Sequence, residues 1–304
     1  MSEVSLTTSV GSVSLRSPIL TAAGTAGFGV ELGGYGDLSQ LGALVTKSLA
    51  AFAWPGNPAP RVTAVDEHLV NSVGLAGPGV DAWRRDHEPA LVAAGATIVT
   101  SIWGRSAQEF ADAADALAGS SSVALEVNAS CPNIEDRSTM FAHSPEATAA
   151  IVRATVRANR PVWVKLSPNT PDLVAIAAAA VDAGAEALVL VNTLLGLAID
   201  LERRRPVLGG VGGGVSGPGI HPVALRAVFD CRRALPDVPI VGVGGVRRGE
   251  DAIALMMAGA NAVEVGTAIF ASPRAPWRIQ REVQRWLSSH GVRSVHEIIG
   301  VAHG

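Results

Sequence analysis

Short β-rich runs alternate with alanine-rich amphipathic stretches along almost the whole chain of 304 residues. This alternation predicts repeated strand–helix units and a parallel sheet. Eight such units in a chain of this length favour a closed α/β architecture, the (β/α)8 or TIM barrel, over an open doubly wound sheet, which remains the alternative. The predicted strands are Ile19–Thr21, Ala43–Thr46, Thr97–Thr100, Val123–Val127, Val162–Leu166, Ala187–Val191, Ile240–Val243 and Ala262–Val265.

Helices are predicted between the strands, and two of them stop at an alanine–glycine pair, Ala183-Gly184 and Ala258-Gly259, where glycine permits a left-handed cap. Residues 4–15 alternate and turn at Gly11, which predicts an N-terminal β-hairpin at the bottom of the barrel. No repeat or composition shift marks a boundary, so we expect one domain over residues 1–304. The predicted helices are Ser106–Leu117, Pro145–Ala158, Pro171–Ala183, His221–Ala234 and Arg248–Ala258.

Two long connections, Ser48–Ala96 and Leu194–Pro218, interrupt the regular alternation. Long ordered loops inside a compact domain are usually lids or binding loops, so we expect both to be inserted active-site loops. The glycine run from Gly209 to Gly217 is equally compatible with a flexible linker.

Composition excludes several classes of function. With 17% charged residues and a net charge of −3, the chain has no basic face for nucleic acid. Its two cysteines form no CxxC pair, so neither a disulfide framework nor an iron–sulfur site is expected, and the scattered histidines have no metal-ligand spacing. The N-terminus does not resemble a signal peptide, and the apolar stretches are interrupted, so we expect no membrane span and a cytoplasmic location.

Lysine is unusually rare in this chain. Among 24 lysines and arginines, only Lys47 and Lys165 are lysines. A general drift towards arginine explains the other positions. The two remaining lysines then mark places that require the compact ammonium of lysine instead of the planar guanidinium of arginine. Survival by chance is the alternative.

Each predicted strand is followed by a polar side chain or by small residues that leave backbone amides exposed. In a barrel the loops after the strands build the active site at one face. We therefore expect these residues to surround one cleft. They are Ala23-Gly24, Lys47-Ser48, Ser101, the segment Asn128–Asn133, Lys165, Asn192-Thr193, Gly244-Gly245 and Gly266-Thr267.

The glycines after the seventh and eighth strands indicate a phosphate site. Gly244-Gly245 and Gly266-Thr267 leave backbone amides accessible, and Gly217 approaches from the neighbouring loop. Many barrels share this feature, so it predicts a phosphate-bearing ligand without naming it.

Cys131 lies between two asparagines in Asn128-Ala129-Ser130-Cys131-Pro132-Asn133 and could move a proton. The alternative is an inert buried thiol, which is the interpretation we give Cys231 in its helix. Lys165 at a strand end could stabilise a reduced flavin or simply reach solvent, and Lys47 could meet a carboxylate or a cofactor.

The chain resembles the class 1 dihydroorotate dehydrogenases, most closely the class 1B catalytic subunit. The resemblance runs nearly end to end. The motifs that carry it are Gly56-Asn57-Pro58-Ala59-Pro60-Arg61, Asn71-Ser72-Val73-Gly74-Leu75, Asn128–Asn133, Val164-Lys165-Leu166-Ser167-Pro168, Asn192-Thr193-Leu194 and Val265-Gly266-Thr267-Ala268.

The resemblance implies an FMN enzyme that oxidises dihydroorotate to orotate in pyrimidine biosynthesis, with Cys131 as the general base. The implied substrate-binding residues are Lys47, Asn71, Ser72, Val73, Gly74, Leu75, Asn128, Asn133, Asn192 and Thr193. The implied FMN-binding residues are Ala23, Gly24, Lys47, Ser48, Ser101, Asn128, Lys165, Val191, Gly217, Gly244, Gly245, Gly266 and Thr267.

The resemblance also implies a homodimer and a partner subunit with FAD and a 2Fe–2S cluster that passes electrons to NAD. Ser101, where 1B relatives tend to carry asparagine, resembles the 1A pattern, in which fumarate is the acceptor. Two other functions remain open: a dihydropyrimidine dehydrogenase-like reductase of uracil or thymine, and a flavin-free barrel that binds a phosphate ligand or serves only as a binding module.

Overall fold

Strands and helices alternate through residues 4–130 and 140–304, which the computed structural model describes. The strands are β1 Thr8–Val10, β2 Val13–Leu15, β3 Ile19–Thr21, β4 Leu44–Val45, β5 Val62–Val65, β6 His68–Asn71, β7 Ile98–Ile102, β8 Ser122–Asn128, β9 Val162–Leu166, β10 Ala187–Leu190, β11 Leu194–Gly196, β12 Ile199–Asp200, β13 Arg205–Pro206, β14 Gly213–Ser216, β15 Ile240–Val243 and β16 Ala262–Val265. The α-helices are α1 Val80–Asp86, α2 Glu88–Ala93, α3 Ala107–Ala116, α4 Pro145–Val156, α5 Leu173–Asp182, α6 His221–Ala234, α7 Gly249–Met257, α8 Ala268–Ala271 and α9 Ala275–Ser289.

Eight parallel strands form the central sheet in the order β3-β16-β15-β10-β9-β8-β7-β4. The first and last strands meet, because Leu20 pairs with Ala43 in parallel and the Gly42 amide donates to the Ile19 carbonyl at 2.8 Å. The sheet is therefore a closed barrel. The predicted (β/α)8 fold is confirmed, and the open doubly wound alternative is wrong.

Four of the eight predicted barrel strands begin and end at the observed residues. The other four differ by one or two residues at one or both ends. The helices α5 and α7 end next to Gly184 and Gly259, whose φ angles of 107° and 120° are the predicted left-handed caps. The N-terminal hairpin is also confirmed, since β1 and β2 pair antiparallel around Gly11 at φ 58°.

The two long connections contain regular structure that we did not predict. Strands β5 and β6 come from the first connection and β11 and β14 from the second, and they form one antiparallel sheet in the order β11-β14-β6-β5. We call these four strands the cover sheet. The flexible-linker interpretation of the glycine run is wrong for Gly213–Ser216, because these residues form strand β14 and pair with β6.

Apolar side chains fill the inside of the barrel and the layer between the barrel and its helices. The interior group includes Leu20, Val99, Trp163, Val189 and Val241, all fully buried. The outer layer is a larger group that joins the outward faces of the strands to the helices. Among the described residues, no helix is both long enough and apolar enough to cross a membrane.

Gly42 lies in the seam that closes the barrel, and a methyl group there would overlap the Ser17 backbone carbonyl oxygen. We expect Gly42→Ala to lower the free energy of unfolding by about 1–3 kcal/mol, because the overlapping atom belongs to the backbone and cannot rotate away. Chemical denaturation measures the effect. The matched control is Gly34→Ala, where a Cβ meets nothing within 4 Å; an equal loss in both variants would contradict the explanation.

Candidate active site

A cleft of about 860 Å³ opens at the carboxyl ends of the barrel strands, beneath the cover sheet. This volume lies within the usual range for small-molecule and cofactor sites. The predicted site residues that line it are Ala23, Gly24, Lys47, Ser48, Asn71, Ser72, Val73, Gly74, Leu75, Asn128, Lys165, Val191, Asn192, Thr193, Gly217, Gly244, Gly245, Gly266 and Thr267. These residues come from different strand ends and surround one cleft, as expected, whereas Ser101 does not line it.

Two predicted residues, Cys131 and Asn133, lie outside the described residues. Their neighbours Asn128 and Ser130 on one side and Met140 on the other line the cleft. Ser101 differs from the other predicted residues, because it is fully buried in β7 and does not line the cleft.

A chain of hydrogen bonds links polar side chains from four strand ends. The hydroxyls of Ser101 and Ser48 are 2.9 Å apart, and Asn128 Nδ2 donates to Ser48 Oγ at 3.2 Å. Asn192 Nδ2 donates to Asn128 Oδ1 at 3.2 Å, and the Thr193 amide donates to Asn192 Oδ1 at 2.8 Å. Because each member orients the next, the side chains of the two asparagines are held in fixed orientations in the cleft.

The predicted phosphate corner is a cradle of backbone atoms. Gly217, Gly244 and Gly245 have φ angles of 115°, 140° and 69°. A Cβ at Gly245 would lie 2.8 Å from the His221 amide nitrogen and 3.0 Å from the Gly217 carbonyl oxygen. The Thr267 hydroxyl donates to Ser216 Oγ at 2.8 Å. Only glycine therefore fits here, and the corner suits an anionic group.

Lys47 presents a half-buried ammonium in the cleft wall. Its Nζ lies 6.0 Å from the centre of the Phe28 ring, and its backbone amide donates to the Gly27 carbonyl at 3.0 Å. Burial, and secondly the charge of Arg61, lowers the pKa of Lys47 to about 8. An anionic ligand would favour the charged form, so the position suits a carboxylate.

Lys165 lies at the floor of the cleft and is 5% exposed, so the interpretation that it reaches solvent is wrong. Its Nζ is 2.8 Å from Glu264 Oε2 and 3.8 Å from Glu126 Oε2, and both carboxylates are fully buried. Burial disfavours the Lys165 cation, but the two carboxylates outweigh burial and raise the pKa of Lys165 above its ordinary value. The barrel thus keeps a positive charge at the cleft floor.

The loop after β6 is held over the cleft by the cover sheet and its neighbours. Asn71 Nδ2 donates to the Gly214 carbonyl of β14 at 3.1 Å, and Asn57 Nδ2 donates to Ser72 Oγ at 2.9 Å. Trp54 Nε1 donates to the Gly74 carbonyl at 3.0 Å. The predicted substrate loop is therefore fixed by both inserted connections.

Comparison with known proteins agrees with this geometry. The family model described as dihydroorotate dehydrogenase matches residues 5–287. Three curated relatives, each named dihydroorotate dehydrogenase B (NAD(+)), catalytic subunit, are similar over almost their whole length. They come from Desulforudis audaxviator (43% identity, 99% of this chain and 98% of the relative), Pelobacter propionicus (42%, 97% and 97%) and Geobacter sulfurreducens (41%, 99% and 99%).

The chain belongs to the dihydroorotate dehydrogenase family. The resemblance to the class 1B catalytic subunit is confirmed, because the three relatives carry that subunit's name.

Sequence reasoning missed several charged residues in and below this dihydroorotate dehydrogenase cleft, among them Glu126, Glu264 and Arg105. Glu126 and Glu264 were overlooked among the apolar residues of two buried strands, although a lone carboxylate in such a run signals a partner. Arg105 also lines the cleft, with its guanidinium carbon 4.9 Å from the Phe52 ring centre and 5.2 Å from that of Trp54. No local signal distinguished Arg105 from the other arginines.

Cys231 is fully buried in α6, as expected for a packing thiol, and burial raises its pKa to about 12. Among residues 4–130 and 140–304, no group of three or more potential ligands could hold a metal ion.

The two lysines should titrate far apart. In protein isotope-labelled at the lysine ε-carbon, we expect one signal to titrate near pH 8 and the other to remain protonated beyond pH 10.5. Burial lowers the pKa of Lys47, so its cation is lost as pH rises through about 8, whereas two carboxylates retain the proton on Lys165. Nuclear magnetic resonance measures both, and Lys47→Met assigns them. Two signals that titrate together near the ordinary value would contradict the site electrostatics.

Proposed function

We propose that this chain oxidises (S)-dihydroorotate to orotate, an FMN-dependent step of pyrimidine biosynthesis. The observation that carries the proposal is the Lys47 ammonium in the same cleft as the Asn128–Asn192 amide pair. Dihydroorotate has both matching features, a carboxylate for the cation and a ring with amide edges. Family membership and the names of the three relatives support the same reaction.

The residues of the cleft fit a flavin mononucleotide. Gly217, Gly244 and Gly245 line the cleft at positive φ angles and present backbone amides without a Cβ, which suits a phosphate. The cleft of about 860 Å³ has room for cofactor and substrate together. When bound, the flavin would supply the acceptor for the hydride that leaves C6 of dihydroorotate. The remaining residues proposed to hold it are Ala23, Gly24, Lys47, Ser48, Asn128, Lys165, Val191, Gly266 and Thr267, with Ser101 acting behind Ser48.

The chain's own side chains would handle the substrate and its second hydrogen. Cys131 would take the proton from C5 as its thiolate, so that loss of this proton and of the C6 hydride together forms the ring double bond. Lys47 would pair with the substrate carboxylate. Asn71, Asn128, Asn133, Asn192 and Thr193 would bind the ring amides, and the loop Ser72–Leu75 would close over them.

Reduction of uracil or thymine is the nearest alternative, and Lys47 argues against it. These rings have no carboxylate, so the half-buried ammonium would have no anionic partner in the ligand. A role limited to binding is disfavoured by the oriented amide chain and the buried cation at the cleft floor, because both suit a reacting ring.

Electrons would leave through a second subunit that carries FAD and a 2Fe–2S cluster and reduces NAD. The relatives are named as catalytic subunits and as NAD(+) enzymes. This chain has two cysteines, fewer than the four that usually ligate such a cluster, so the cluster would belong to the partner. Direct transfer to a soluble acceptor such as fumarate is the other route. We also propose that the catalytic chain forms a homodimer.

Anaerobic mixing tests the central proposal. The FMN-loaded protein should lose its yellow flavin absorbance when dihydroorotate is added, and Cys131→Ser should slow this loss by about 10²–10⁴-fold, because serine is a far weaker base than a thiolate. Stopped-flow absorbance measures the rate. Re-oxidation of the reduced protein then identifies the electron acceptor. NAD should re-oxidise it when an iron–sulfur flavoprotein is present, whereas fumarate should re-oxidise it only slowly. No bleaching of a protein that holds FMN would refute the activity.

Lys47 distinguishes orotate chemistry from uracil chemistry. Lys47→Met should raise the KM for dihydroorotate by roughly 10–100-fold, because a charge-assisted hydrogen bond to the carboxylate is lost. Lys47→Arg keeps the charge and should recover part of the affinity, which separates the loss of charge from a general disturbance of the cleft. An unchanged KM in Lys47→Met would favour a substrate without a carboxylate.

A further inference from the structure

A cluster of three charged side chains lies inside the barrel directly below the cleft. It consists of Glu126 in β8, Lys165 in β9 and Glu264 in β16. Lys165 lines the cleft, whereas the two glutamates are fully buried and do not. The proposed mechanism uses the lysine but gives the carboxylates no role.

The barrel register explains how the three side chains meet. Asn128 pairs with Lys165 and Glu126 pairs with Trp163, so Glu126 lies one inward-facing layer below Lys165. Strands β15 and β10 separate β16 from β9, so Glu264 reaches Lys165 across the barrel interior. The surrounding interior is apolar, with Val189 and Val241 fully buried nearby in the same filled barrel.

The charges of the cluster do not balance if all three groups are ionised. Two carboxylates and one ammonium would leave one net negative charge in an apolar interior. Both Glu126 oxygens and Glu264 Oε1 are buried without a hydrogen-bond partner among the described residues. Burial, and secondly the neighbouring Glu126 charge, raises the pKa of Glu264 well above its ordinary value. A single negative charge on the carboxylate pair satisfies these observations.

We propose that Glu126 and Glu264 are positioning residues for Lys165, which hold its ammonium at the cleft floor with one neutralising negative charge between them and thereby set the reduction potential of the bound flavin. The inference rests on the proposed function, because it assigns a flavin to the cleft above Lys165. It adds two fully buried residues that do not line the cleft. Either carboxylate can carry the charge, so the pair acts as one unit.

The test compares flavin reduction potentials in FMN-loaded protein. We expect Glu126→Gln and Glu264→Gln each to stay within about threefold of wild type in the equilibrium constant for two-electron reduction, because glutamine replaces the neutral member of the pair. The double variant removes both groups that hold the Lys165 proton, so the buried ammonium is lost and the reduced flavin should be disfavoured by at least tenfold, about 30 mV. Reductive titration against a reference dye measures the potentials.

Two results would overturn the inference. An unchanged potential in the double variant would show that the carboxylates do not reach the flavin. Equal and additive shifts in the two single variants would show two independent charges. The matched control is Glu88→Gln, which alters a buried carboxylate in α2 that pairs with Arg84 at 3.4 Å, away from the cleft, and should leave the potential unchanged.

A second measurement needs neither flavin nor substrate. In flavin-free protein labelled at the lysine ε-carbon, the pKa of Lys165 should stay above its ordinary value in either single variant and fall in the double variant, where burial is unopposed. If the double variant does not fold, the pKa of Lys165 in the two single variants still tests whether the carboxylates share one charge. Loss of the high pKa in Glu264→Gln but not in Glu126→Gln would overturn the shared charge, because Glu264 alone would then hold the lysine.

The two proposals fail in different ways. If the wild-type protein binds FMN but dihydroorotate does not bleach it, the proposed function fails while the lysine titrations still report on the cluster. If bleaching occurs and the potentials do not follow the pattern above, only the inference fails.

Discussion

Closure of the parallel sheet is the constraint on which the rest of this structure depends. Because Leu20 of β3 pairs with Ala43 next to β4, no barrel strand keeps an open edge, and the carboxyl ends of all eight strands face the same side. Side chains that are far apart in sequence are thereby brought together, as the contact between Asn128 and Asn192 illustrates. The interior below is filled mainly with apolar residues, so apart from the Glu126–Lys165–Glu264 cluster the polar groups of the site lie at the mouth.

The cover sheet is a second structure that depends on the barrel. Its central pair joins β6 and β14, which leave the barrel after different strands and meet only once those strands are in register. The hydrogen bond from Asn71 to Gly214 fixes the loop over the cleft as part of that pairing. The two long connections therefore form a single cover sheet above the cleft, and a change in either connection is expected to disturb the position of the other.

The sequence predicted the barrel and most of the cleft because both follow from local patterns. Strands such as Ile240–Val243 are short apolar runs bounded by turn residues, and their alternation with helices determines the fold class. The cover sheet was not predictable in the same way. Gly213–Ser216 has little strand propensity, and its conformation comes from pairing with β6. Glu126 and Glu264 were missed because their partner, Lys165, is distant in sequence and is reached only through the barrel.

The scarcity of lysine has a practical consequence for handling this protein. Reagents that acylate amines do not modify arginine, and they require an amine that has lost its proton. Lys165 is nearly buried at the cleft floor and keeps its proton, whereas Lys47, with a pKa of about 8, is partly neutral under mild conditions. Apart from the terminal amine, Lys47 is therefore the principal side-chain target of such reagents. Attaching a dye or a solid support through amine coupling would place it in the mouth of the cleft instead of on the outer surface.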